Sequence, residues 1–150
     1  MLVYNIRKEQ FAKSLTASGA ANRWNKTDQW VIYTASSEAL AALELLVHRA
    51  GIREDEHYKL LIIEINITPK DIKTVSIDQL PKNWKSIFCY PYLQEIGSAW
   101  YQEQNALVLK VPSAVLPRAN NYIINTHHPL FYSKVKIIKK EDFVWDSRLL

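Results

Sequence analysis

A chain of 150 residues, 48% hydrophobic and 23% charged, is long enough to bury its own core and fold as one domain without staples. Its single cysteine, Cys89, excludes an internal disulfide, and three glycines in the whole chain leave little room for a flexible linker. A net charge of +4 invites an anionic partner, but no apolar run approaches the roughly 18–20 residues that span a bilayer; with no apolar leader in MLVYNIRKEQF, a soluble, cytoplasmic protein is expected.

LVYNI reads as a first strand and Lys8 to Leu15 as a helical turn or short helix, followed by the loop TASGAANRWNKTDQ. WVIYT, rich in β-branched and aromatic side chains, is a second strand. Ser37 then stands as the N-cap of a helix, with Glu38 at its positive end, His48 and Arg49 in its last turn and Gly51 as its stop. YKLLIIEINI is a long central strand and DIKTV a short one. PYLQEIGSAWYQEQ reads as a second helix that opens at Pro91 and breaks before Asn105. ALVLKV is a strand that Pro112 ends, NNYIINTHHP a turn-rich connection, and VKIIKKEDFVW the last strand. Lys134, Lys136, Lys139 and Lys140 hold much of the basic excess, and on such a strand they guard a sheet edge rather than form a nucleic-acid patch. Strands outnumber helices without βαβ alternation. The fold class is therefore α+β, one domain over residues 1–150, with a mixed or antiparallel sheet and flanking helices.

The sequence carries no Gly-rich phosphate loop and no nucleophile elbow. His127 and His128 are adjacent, His48 and His57 lie far off, and their spacing with Cys89 matches no metal pattern, so no metal is expected. Glu44 stands out. It is the one polar residue between Ala39 and Val47, and on a helical wheel it shares a stripe with Ser37, Leu40, Ala41, Val47 and His48. A carboxylate there either faces a cleft or core edge, where it is a functional candidate, or pairs with His48 at i,i+4 on the surface. Arg23 can reach a phosphate bidentately with the Trp24 indole shaping the wall, or is a plain surface arginine. Tyr33 either fills the core or floors a pocket. Ser113, after a strand-ending proline, is a phosphate donor or an ordinary loop serine.

Together, RWN, then VIYTASSEALAALELLVH, then ALVLKVPSAVLPRANNYIINTHHPLF resemble the RES-domain family, the toxin half of Xre–RES toxin–antitoxin pairs. The Arg, Glu and Ser of the family's name match Arg23, Glu44 and Ser113. The resemblance implies an ADP-ribosyltransferase-like fold and an NAD+ phosphorylase that yields nicotinamide and ADP-ribose 1″-phosphate. NAD+ is then substrate, inorganic phosphate co-substrate, and no resident cofactor is needed. It further implies that Glu44 steadies the oxocarbenium charge and holds the ribose hydroxyls, Arg23 binds the pyrophosphate or acceptor phosphate, Tyr33 meets the nicotinamide, and Ser113 meets a phosphate oxygen. Trp24, Asn25, Asn121 and Asn125, from the same motifs, fall among the groups expected to hold NAD+, as does Asn5. Asn5 is a departure: the family's first strand usually reads aromatic-Arg-Ile, here Tyr4-Asn5-Ile6, which weakens phosphate binding unless Arg7 compensates. A cognate helix-turn-helix antitoxin of the Xre type is the implied partner, covering the Glu44 cleft and touching nucleic acid in the chain's stead; a homodimer within that complex is compatible with it. An NAD glycohydrolase, an ADP-ribosyltransferase, or a weakened binding module are the alternatives.

Overall fold

The structure, a computed structural model, describes residues 1–48 and 52–150. Seven strands form one sheet: β1 (Leu2–Lys8), β2 (Val31–Ala35), β3 (Tyr58–Ile65), β4 (Ile72–Thr74), β5 (Val108–Pro112), β6 (Asn120–Asn125) and β7 (Val135–Phe143). Their order is β4-β5-β6-β2-β1-β3-β7, antiparallel except for the β4–β5 pair. Helices α1 (Glu38–His48) and α2 (Tyr90–Glu103) and the single turn α3 (Phe131–Lys134) complete the α+β domain. None of the described helices is long and apolar enough to cross a membrane.

Side-chain alternation assigns the layers. On β2, Ile32 joins a core with Val3, Leu61, Ile63, Val108 and Ile124, whereas Val31 and Tyr33 turn the other way, toward Trp24, Leu93, Trp100, Leu109 and Ile123. Ala35 shares that second face but packs with Ile6, Leu40, Leu45 and Leu60. Because residues two apart on a strand share a face, α1 and α2 lie on one side of the sheet, α1 over β1 and the adjoining parts of β2 and β3 and α2 over β5 and β6. Leu40 and Leu45, both buried, anchor α1, each worth about 1.5–3 kcal/mol of apolar burial.

The sheet is nearly divided beneath α1. β2 pairs with β6 over five residues and β1 with β3 over seven, but β1 and β2 meet only at Tyr4 and Ala35. Past that pair Asn5 spans the gap, its Nδ2 donating to the Tyr33 carbonyl at 2.8 Å.

Most elements lie where the sequence places them. The Ser37 hydroxyl accepts from Leu40 N–H at 3.1 Å and caps α1; Arg49 and Gly51, its expected last turn and stop, lie outside the described residues. α2 opens on Tyr90 beside Pro91 and closes on Gln104, left-handed at φ 54°. β7 is an edge strand, and Lys136, Lys139 and Lys140 on it are exposed. Two expectations need correction. Only Glu9–Phe11 of the Lys8–Leu15 segment is helical, as one tight turn. Asn120–Asn125 is no connection but an interior strand between β2 and β5: asparagines favour turns, yet pairing on both sides and the burial of Ile123 and Ile124 override that local preference.

Candidate active site

Three separate pieces of chain converge on Glu44. Ser113, at the end of β5, donates its hydroxyl to Glu44 Oε1 at 2.7 Å, and Asn121 on β6 donates from Nδ2 to the same oxygen at 2.6 Å. His48, one helical turn on, places Nε2 3.3 Å from Oε2. The Glu44 side chain is 17% exposed. Burial works against its charge most strongly, but the hydrogen bonds from His48, Asn121 and Ser113 together outweigh it and hold the carboxyl below its ordinary value. The group is thus a fixed anion in a half-dry setting.

That anion lines a cleft of about 220 Å³ over the seam between β1 and β2, together with Tyr4, Asn5, Asn22, Tyr33 and Asn121. Glu44 therefore takes the cleft-facing alternative and the i,i+4 pair with His48 at once. Tyr33 is fixed at its hydroxyl, which donates to Asn25 Oδ1 at 2.7 Å and accepts from Trp24 N–H at 3.0 Å. Burial pushes its ionisation well above the ordinary phenol range, so it stays a neutral wall of the cleft. The side-chain oxygen of Asn121, Oδ1, is buried and finds no donor among the described residues.

Arg23 lies beyond Tyr33. Its guanidinium donates to the carbonyls of Trp84 (3.3 Å) and Lys85 (2.9 Å) and sits 4.8 Å from the centre of the Tyr90 ring. It is not among the residues that line the Glu44 cleft, though its neighbour Asn22 is. The loop that carries both is clamped to α2: Gln94 donates to the Asn22 carbonyl at 2.8 Å, Gln29 donates to Ser98 at 2.6 Å, and Lys26 pairs with Glu95. Gly97 lets the helix touch the Trp24 carbonyl directly, since a Cβ there would stand 1.6 Å from that oxygen.

Four expected ligand contacts are redirected by burial. Trp24 is 2% exposed and packs into the core with Trp84 and Trp100, outside the lining of the Glu44 cleft. Asn25, 1% exposed, spends Nδ2 on the carbonyls of Ala20, Lys26 and Gln29 and holds the loop in shape. Asn125, fully buried, donates to the Tyr101 carbonyl and accepts from His127 N–H. Ser113 is also fully buried; it accepts from the N–H groups of Val115 and Leu116, both at 3.1 Å, and gives its own proton to Glu44. Its hydroxyl proton is committed to the carboxylate, which it supports. Changing Ser113 to alanine strands those two N–H groups and leaves Glu44 Oε1 with Asn121 as its remaining donor. A loss of about 1–3 kcal/mol is expected in urea denaturation.

Asn5 is occupied on both ends: besides its bond to Tyr33, its Oδ1 accepts from Arg7 Nε at 2.7 Å. Arg7 lies in an adjoining hollow that shares Asn5 and Tyr33 with the cleft. His48 and Asn22 are the cleft residues that sequence reading left in the background. The i,i+4 spacing pointed to His48 as a partner of Glu44, whereas Asn22 stood out only as part of Ala21-Asn22, which replaces the glycine pair usual before RWN in the family, and bore on loop conformation rather than on the site.

Residues 2–146 match the RES domain. A protein named Toxin Res from Photorhabdus laumondii is 32% identical over 155 residues, covering 100% of this chain and 97% of its own length. A Toxin Res from Yersinia enterocolitica is likewise 32% identical, covering 99% of both chains. The Prs ADP-ribosylating toxin of a Sphingobium species is 30% identical over 93% of this chain and 88% of its own. Among solved structures, a chain of the M. tuberculosis MbcT-MbcA toxin–antitoxin complex superposes with a TM-score of 0.76 at 16% identity, covering 95% of this chain and 84% of that one.

Proposed function

The chain belongs to the RES-domain family, and from that premise we propose that it is the toxin of a toxin–antitoxin pair and destroys NAD+ in the cytoplasm by phosphorolysis. The observation that carries this reading is the Glu44 carboxylate, held ionised inside a cleft by donors from α1, β5 and β6. The bond from the ribose C1″ to the nicotinamide nitrogen breaks, and its electron pair leaves with the ring, which becomes neutral. No general acid is needed for that departure. The barrier is the positive charge left on the sugar, and a preorganised carboxylate lowers it. A phosphate oxygen then bonds to C1″ and gives ADP-ribose 1″-phosphate.

Glu44 Oε2 faces the sugar, because Oε1 already takes two donors from the framework. The buried Asn121 Oδ1 accepts from a ribose hydroxyl, and Tyr33 bounds the nicotinamide. Arg23 and Arg7, on either side of the Tyr33 wall, supply the guanidinium groups for the pyrophosphate and the acceptor, with Arg7 covering for the absence of a cation at Asn5. NAD+ enters as substrate, and this chemistry calls for no resident cofactor.

The test is product analysis after incubation with NAD+, with and without inorganic phosphate. Phosphate-dependent release of nicotinamide together with ADP-ribose 1″-phosphate supports the reading; ADP-ribose formed equally without phosphate replaces it with glycohydrolysis. The Sphingobium relative favours a second reading, ADP-ribosyl transfer to a protein, for which labelled NAD+ would leave its label on polypeptide. An Xre-type helix-turn-helix antitoxin is the proposed partner, seated over the Glu44 cleft, contacting DNA on the toxin's behalf and able to hold two toxin chains.

A further inference from the structure

On the opposite side of the sheet's middle from β4, a second concavity of about 640 Å³ runs along the edge strand β7, bounded by residues 13–15 and by α3. Lys13, Lys136, Lys139 and Lys140 line it and no carboxylate does. Lys140 donates to the Lys13 carbonyl at 2.6 Å, and Lys139 pairs with Glu141 at 2.5 Å. Lysines alone would be edge protection, but this groove also presents apolar side chains. Tyr132 is 87% and Ile138 51% exposed. Between Ile62 and Ile63 of β3 the register with β7 slips by one residue, so Ile138 is a bulge without a partner opposite it. Bulges re-aim side chains, and this one turns an isoleucine outward between lysines.

We infer that the β7 groove is a docking site for an extended acidic segment of a partner protein, whose carboxylates meet the lysines while its apolar side chains cover Ile138 and Tyr132. Charge complementarity selects the occupant. A second copy of this chain docked edge to edge would set lysines against lysines, and like charges across strands repel. A single nucleic-acid strand is held by successive aromatic platforms, whereas the groove's exposed aromatic is Tyr132 alone among its described lining residues. An open strand edge offers alternating N–H and C=O groups, which suit a polypeptide.

The experiment is fluorescence anisotropy with the intact protein and three labelled probes: an octapeptide alternating Glu and Val, its Lys-Val counterpart, and a single-stranded DNA oligonucleotide. The acidic peptide is expected to bind, to weaken as salt rises, and to lose affinity by about tenfold or more in the Lys136→Glu/Lys140→Glu variant. Lys136→Gln/Lys140→Gln should lose an intermediate amount, and Ile138→Ser should weaken binding with the charges intact. Melting temperature and NAD+ consumption should match the parent in each variant. Equal binding of the two peptides, binding indifferent to charge reversal, or tighter binding of the oligonucleotide overturns the inference. NAD+ plays no part in the binding assay, so this inference and the phosphorolysis reading stand or fall separately.

Discussion

Glu44→Gln is expected to slow NAD+ consumption by about a hundred- to a thousandfold, the usual effect of deleting one preorganised electrostatic group from a site, while the protein stays folded. Glutamine keeps the volume and one carbonyl oxygen, so Ser113 and Asn121 still have an acceptor; what vanishes is the charge. Nicotinamide release under saturating substrate, measured beside circular dichroism, checks this. A variant within about threefold of the parent would remove the carboxylate from the chemistry. Acid treats the parent in the same way. The folded carboxyl ionises below its ordinary value of 4.5, so the stabilisation from its three donors is complete above that pH and drains away as the pH falls through the lower folded value. The difference in melting temperature between parent and Glu44→Gln should therefore shrink on acidification below that ordinary value.

Gly97→Ala is expected to destabilise the protein by about 3 kcal/mol or more, although alanine is the better helix former by about 1 kcal/mol. The two effects have opposite signs, and geometry decides between them. The added Cβ would stand 1.6 Å from the Trp24 carbonyl oxygen, which belongs to backbone and cannot swing aside. Either α2 lifts its Leu93 and Trp100 off Leu109 and Ile123 of the sheet, or the Arg23–Trp24 segment shifts and takes the N–H that holds the Tyr33 hydroxyl with it. Urea denaturation gives the stability change and the NAD+ assay the effect on the site. A stabilised variant would show that propensity alone governs this position.

The elements were legible where local chemistry agrees with the fold. Ser37 followed by an apolar helical stripe, and Val-Ile-Tyr-Thr, declare themselves because capping and alternation are local properties. Asn120–Asn125 was hidden because its asparagines signal a turn and its strand character is conferred by β2 and β5, which are remote in sequence. The site followed the same division. Glu44 was visible as a charge out of place in its helix, and the motif resemblance brought Arg23, Tyr33 and Ser113 to its side. That resemblance could not separate groups that face the cleft from groups that hold those in place. Trp24, Asn25 and Ser113 belong to the second kind, and Asn125 to neither, its side chain bonding Tyr101 and His127 away from the cleft; only burial and partner geometry reveal it.

The single ladder pair between β1 and β2 has a thermodynamic corollary. Glu44 and Asn5 come from α1 and β1, Tyr33 and Asn121 from β2 and β6 across the seam, and the cleft touches both. Any molecule seated there acts as a splice across the weakest join in the sheet. Occupancy at a hundred times the dissociation constant would add about 2.7 kcal/mol to the resistance against unfolding, so a bound inhibitor, whether small molecule or polypeptide, should register as a higher melting temperature and as slower amide exchange on both flanking strands.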